Sequence, residues 1–274
     1  MSVLGDDFEG GFFRRLYWPS NPAGLVFALG AAVGLVLLHQ VLQLAFSRVV
    51  IALFFADDAS NLRAWVKASL VIIFPASLLV AAVAWRVAGM RGGDPREVLS
   101  LHWPRLTGLG WVTLIGGFMV AMYLAIMLVV LGLGIDLAQY TPGPNGQSPE
   151  TGSAGLVKEA MFDIANNPLM FLLVFPSIAI GAPLAEEVIF RGQLFSALSR
   201  TRLGVAGATL ATAAMWALLH VSEPWLSIGL IFVMGLAFGW MMYRFGSLWV
   251  TIACHSAWNA IYALIIFFGH GGAA

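Results

Sequence analysis

The chain reads as an all-α, polytopic transmembrane helical bundle of about seven spans, on three observations. Apolar residues (Ala, Val, Ile, Leu, Met, Phe, Trp, Tyr, Cys) make up 60% of its 274 residues, and the mean hydropathy is +0.87. Charge is too sparse for a soluble surface, with only 14 basic and 14 acidic side chains. A soluble chain of this mass would expose about 11,500 Å², or one charge per roughly 400 Å², so the unfilled surface must face lipid. Finally, apolar runs of the ~20-residue length that crosses a bilayer recur along the chain, separated by short polar stretches.

Taken in order, residues 1–22 form an N-terminal segment with Asp6, Asp7 and Glu9 ahead of Arg14 and Arg15. That charge order, and the length of the apolar run behind it, are unlike a secretory signal peptide. Residues 23–135 hold the N-terminal spans, in apolar runs 23–56, 64–85 and 108–135, with Pro75 expected to kink the second. Residues 136–157, containing TPGPNGQSPETG, read as an exposed loop. Residues 158–274 begin with a short interfacial helix over 158–167 and continue through runs 168–199, 204–221, 225–243 and 247–268. The first of these runs is interrupted at Gly181-Ala182-Pro183, and an eighth crossing hidden in run 23–56 or 168–199 would change the count. Gly30-xxx-Gly34 and Gly235-xxx-Gly239 are expected to let helices approach closely.

Basic residues orient the spans. Arg14, Arg15, Arg86, Arg91, Arg96, Arg105, Arg200, Arg202 and Arg244 all fall on one side of a seven-span bundle. The positive-inside tendency then puts the N-terminus in the cytoplasm. Zero net charge gives no reason to expect a nucleic-acid partner. The single cysteine, Cys254, excludes an internal disulfide and lies in an apolar run as a packed thiol. The partners implied are the lipid bilayer and whatever peptide or protein meets the chain there.

A charge at bilayer depth costs about 2.5–3.5 kcal/mol on insertion scales, so each one needs a reason. Glu186, Glu187, Arg191, His220, His255 and Asn259 cluster in the last third of the chain. In PLAEEVIFRG, Glu187 and Arg191 share a helix face and can pair, whereas Glu186 points about 100° away with no sequence-local cation. A carboxylate in an apolar setting suits a general base. Trp216 and His220 share a face, as do His255 and Asn259, and the latter two can donate to a developing oxyanion. Each pair also has a plain reading, as an ion network, a packing histidine or a polar clamp between helices. Measured along straight helices at 1.5 Å per residue, Glu186, His220 and His255 differ in depth by ~12 Å, so tilt or breaks must bring them together.

The set Glu186-Glu187-Val188-Ile189-Phe190-Arg191-Gly192, Trp216-Ala217-Leu218-Leu219-His220 and His255-Ser256-Ala257-Trp258-Asn259 resembles the CAAX protease and bacteriocin-processing (CPBP, or Abi) family of intramembrane proteases. That family includes the Ras-converting type of CAAX prenyl endopeptidase. The resemblance covers about residues 183–262; the N-terminal half resembles nothing in particular. It implies an intramembrane endopeptidase in which Glu186 and His220 bind and activate water, His255 and Asn259 hold the oxyanion, and Glu187 and Arg191 brace the site. The second motif usually begins with Phe. Trp216 in its place is read as a volume change that touches packing more than chemistry.

Two water-activating devices use these residues. A divalent metal such as zinc on Glu186, His220 and His255 would acidify its water. Without a metal, Glu186 takes the proton directly. Zinc sites usually contain a ligand pair at helical spacing, whereas each candidate here comes from a different helix and the i+4 partner of His255 is Asn259, a poor zinc ligand. The metal-free device is therefore preferred. The chain has no His-Glu-x-x-His, no paired aspartyl motif and no Gly-x-Ser-Gly, which sets aside other intramembrane proteases. A non-cutting scaffold of the same family and a transporter with broken helices remain the alternatives. The substrate, whether a prenylated CAAX tail, a bacteriocin leader or another membrane-associated peptide, is open.

Overall fold

The computed structural model describes residues 16–58, 60–136 and 152–269, and within them every regular element is helical. The chain order is α1 (Leu25–Phe54), α2 (Leu62–Ala88), the single turn α3 (Pro95–Val98), α4 (Gly108–Leu133), α5 (Gly152–Ala165), α6 (Pro168–Leu198), α7 (Gly204–Leu218), α8 (Trp225–Phe245) and α9 (Leu248–Gly269). Six of these helices, α1, α2, α4, α6, α8 and α9, are long and apolar enough to cross a membrane. Only 17–39% of their most apolar windows is buried inside the protein, which leaves the rest for lipid. The chain is thus a polytopic helical bundle. Residues 1–15 and most of the expected loop, 137–151, lie outside the described residues.

Three features differ from the sequence expectation. The fifth run is a shorter apolar helix, ending at Leu218 rather than near 221. His220 turns its ring back on its own helix, where Nδ1 takes the Trp216 carbonyl at 3.0 Å, and Pro224 then starts α8. The expected interruption at 181–183 is also absent. α6 runs through it, with π segments at Ser177–Gly181 and Val188–Leu194 on either side of the α-helical turn Ala182–Glu187. The short helix expected at 158–167 begins earlier, at Gly152, and is tied to α2 by Arg63–Glu159 (2.6 Å) and Lys67–Asp163 (2.7 Å).

Prolines shape the contact between α2 and α6. Pro75 lacks the N–H that would satisfy the Val71 carbonyl one turn back. Ser177 Oγ donates to that carbonyl at 3.0 Å and accepts from Phe74 N at 3.2 Å, so α2 stays continuous. The backbones come close there because Gly181 has no side chain; a Cβ on it would lie 2.8 Å from Phe74 Cα. The glycine pairs separate into two kinds. A Cβ on Gly235 would meet Ala213 at 2.8 Å, and one on Gly239 would collide with Thr209, so α8 and α7 approach as expected. Gly30 and Gly34 have nothing within 4 Å, so the expectation of a close helix approach at that pair is not met among the described residues.

The main core lies where α6, α7, α8 and α9 meet, around Trp216, Phe238, Phe195 and Met242. Residues 16–22, at the end of the expected N-terminal segment, dock on it. Tyr17 Oη lies 3.2 Å from Ser199 Oγ, Asn21 Nδ2 donates to Ser196 Oγ at 3.0 Å, and Arg200 donates to the Asn21 carbonyl. Cys254 is fully buried, as a packed thiol should be.

Candidate active site

Glu186 and Glu187 sit on the α turn between the two π segments of α6, a kind of helix defect that recurs at functional sites. Their carboxylates go separate ways. Glu187 is wholly buried: Oε1 accepts from Arg191 Nη1 at 3.0 Å and lies 3.1 Å from His255 Nδ1. Arg191, equally buried, lies over Trp216 (4.6 Å to the ring centre) and Phe238 (5.2 Å), and Nη2 donates to the Gly235 carbonyl at 3.4 Å. A buried ion pair of this kind is costly to break from one side, because the remaining charge has no solvent.

Glu186 instead faces a cavity of about 180 Å³, with its side chain 24% exposed. Its Oε2 accepts from Trp216 Nε1 at 2.6 Å. The tryptophan at this position therefore supplies chemistry as well as volume, which corrects the sequence reading; phenylalanine there could not make this bond. Trp216 also meets the rings of His220 and His255 edge-on, at 5.7 and 5.2 Å between centres. One buried indole thus touches every charged or titratable member of the set except Glu187.

His220 lines the same cavity. A backbone carbonyl can only accept, so the bond to Trp216 O requires a proton on Nδ1, and in the neutral ring Nε2 is then an acceptor. His255 is held by Glu187 through Nδ1, and its Nε2 lies 3.9 Å from Glu186 Oε2. The ~12 Å depth spread read along straight helices is thereby closed. Asn259, one turn on, donates to the Ile178 carbonyl at 3.1 Å. Ile178 needs that donor: the amide of Ala182 bonds Ser177 in the π register, and Pro183, next along, has no N–H. Asn259 thus clamps α9 to the π segment of α6.

Sequence reasoning missed three neighbours. His39, Gln40 and Gln43 of α1 also line the Glu186 cavity, some 150 residues before the motif. Their signal was visible as polar side chains at helical spacing inside an apolar run, but nothing in the chain says which helix they face.

The donors do not fit a metal site. Among the described residues, no three His, Cys, Asp or Glu side chains converge to hold an ion. Glu186 Oε2 accepts from the indole, and the two rings are fixed through Nδ1, His255 by Glu187 and His220 by its own helix, so their Nε2 atoms are the ring nitrogens left over.

Residues 168–261 match the Rce1-like family model, described as type II CAAX prenyl endopeptidase. The matched segment runs from the start of α6 into α9 and holds all six residues of the motif. No curated protein and no solved structure matches the chain. That model is of a protease family, to which this segment is similar, and the apolar helices make the chain an integral, multi-pass membrane protein. α1, α2, α4 and α5 lie outside the match, and the α1 residues at the cavity are among those the match does not cover.

Proposed function

We propose that the chain is an intramembrane endopeptidase that hydrolyses a peptide bond of a membrane-associated peptide or protein, with Glu186 and His220 activating the water. The observation that carries this reading is that Glu186 and His220 line one cavity, with His220 fixed through Nδ1 so that Nε2 of the neutral ring is its free acceptor. A water between two acceptors presents its oxygen lone pair to a carbonyl carbon, and Glu186 takes its proton as the C–O bond forms. The same proton goes to the amine as the C–N bond breaks. His255, whose Nδ1–H goes to Glu187 and which donates from Nε2 as the imidazolium between the two glutamates, and the second N–H of Asn259 serve the oxyanion. Glu187 and Arg191 brace the histidine. The device is metal-free, in keeping with the lack of three converging His, Cys, Asp or Glu side chains among the described residues, so cleavage should resist a chelator and need no added zinc.

The test is cleavage of a synthetic peptide library, with and without prenylated C-terminal tails, by purified protein in lipid nanodiscs beside the Glu186→Gln variant. Cleavage by the wild type and none by the variant is expected. Equal cleavage by both, or by neither, rejects the reading. Activity lost to a chelator and restored by one zinc per chain would replace the metal-free device with a metal-bound water.

A further inference from the structure

We infer that α1 supplies the substrate-binding wall of this cavity, with Gln40 and Gln43, set by His39, hydrogen-bonding the backbone of an extended peptide at Glu186; this rests on the endopeptidase reading. α1 is apolar over nearly its whole length, and 17% of its most apolar window is buried. Its polar side chains at 39, 40 and 43 are not scattered. With Val36 they form one face at i, i+3, i+4 and i+7, and all four line the Glu186 cavity. Gln40 lies ~22 Å along the helix from Leu25, near its middle, where a polar side chain is expensive. Gln43 is tied back, with Nε2 3.3 Å from the His39 ring, and His39 is itself anchored on α2 through Ser77 Oγ at 3.2 Å. Gln40 has no hydrogen-bond partner among the described residues and lies exposed at the cavity.

The chemistry of a carboxamide selects the ligand. It offers N–H donors and a carbonyl acceptor together, the complement of a peptide group. A hydrolase that cuts an amide bond must hold that bond's strand with its carbonyl carbon toward the water, and helices give it no sheet edge to pair with. Two glutamines one turn apart, lining the same cavity of about 180 Å³ as the base, provide that hold. The α6 and α7 side chains of the cavity (Glu186, Trp216, His220) act on the bond while α1 fixes its register.

The experiment uses full-length protein in nanodiscs and, from a dansyl-labelled peptide library with and without prenylated tails, the peptide that wild type cleaves fastest. Leucine keeps the volume of glutamine and removes the amide. Gln40→Leu and Gln43→Leu should each raise KM about tenfold and leave kcat within about twofold, the scale of one lost hydrogen bond. A second probe replaces the amide N–H next to the cut bond by an ester oxygen. It should bind wild type about tenfold more weakly than the parent peptide and bind at least one of the two leucine variants no more weakly than the parent. That coupling is something a purely structural role would not produce. Unchanged KM in both variants, or an equal ester penalty in all three proteins, overturns the proposal. If wild type cleaves nothing, the endopeptidase reading fails by itself. Binding of the same peptides to the three proteins then decides the α1 proposal: weaker binding by the leucine variants supports it, and equal or absent binding overturns it.

Discussion

Trp216 shows how one atom changes a residue's part. Its indole N–H, 2.6 Å from Glu186, holds the carboxylate in place, while its faces take Arg191. Trp216→Phe keeps an aromatic ring but removes the bond and the volume of the indole's second ring. A hydrogen bond to a charged group is worth ~1.5–3 kcal/mol, so turnover should fall at least tenfold, with a lower Tm in detergent from the cavity left at a fully buried site. The two glutamates separate in the same way. Glu186→Gln should abolish cleavage in a protein that still folds and inserts. Glu187→Gln should cost activity and stability together, because it leaves Arg191 buried without its partner, a loss of about 3–5 kcal/mol. Arg191→Ala should behave alike. Asn259→Ala should lower turnover by about 10²-fold and also lower Tm, since the Ile178 carbonyl loses its donor. Turnover lost at constant Tm would make the oxyanion its only role. The residue types of the site were legible in the chain because charge in an apolar run is conspicuous. The indole bond was not, because it joins residues 30 positions apart and depends on how α7 is rotated against α6.

At the scale of elements, the contact of α2 with α6 is a repaired defect. Ser177 stands in for the amide that Pro75 lacks. Ser177→Ala should destabilise the protein by about 1–3 kcal/mol, and adding Pro75→Ala should recover much of it by restoring the backbone N–H. Thermal unfolding of the four proteins of this cycle measures the coupling; independent, additive losses would remove the link. The glycine pairs give a second contrast. Gly239→Leu should disrupt the α7–α8 contact and lower Tm sharply, whereas Gly30→Leu and Gly34→Leu should leave it unchanged, since nothing stands within 4 Å of either. All four glycines look alike in the chain. Spacing on one helix says that a small face exists, and only the packing says whether a second helix uses it.

At the scale of the whole molecule, the distribution of charge bears on sidedness. The basic residues argue for a cytoplasmic N-terminus, and α4 separates the Arg-rich 86–105 stretch from the residues after Leu133. In a Cys254→Ser background, Arg96→Cys should react with a membrane-impermeant thiol reagent only after the membrane is opened, and Gly146→Cys in intact cells. Labelling of both from the same side would overturn the orientation and the crossing by α4.

The fold class, the approximate span boundaries and the identity of the six motif residues were decided by the sequence alone. The reason is that lipid punishes polarity: a chain that must present apolar surface for ~20 residues at a time advertises both its spans and every exception to them. Helical spacing went one step further and paired Glu187 with Arg191, because both lie on one helix. Everything between helices waited for the tertiary structure. The π segments of α6, the clamp of Asn259 on Ile178, the bond from Trp216 to Glu186 and the polar wall of α1 all depend on relative rotation and depth of separate helices. In an apolar environment no periodicity distinguishes the face of a helix that meets protein from the face that meets lipid, so those contacts leave little trace in the order of residues.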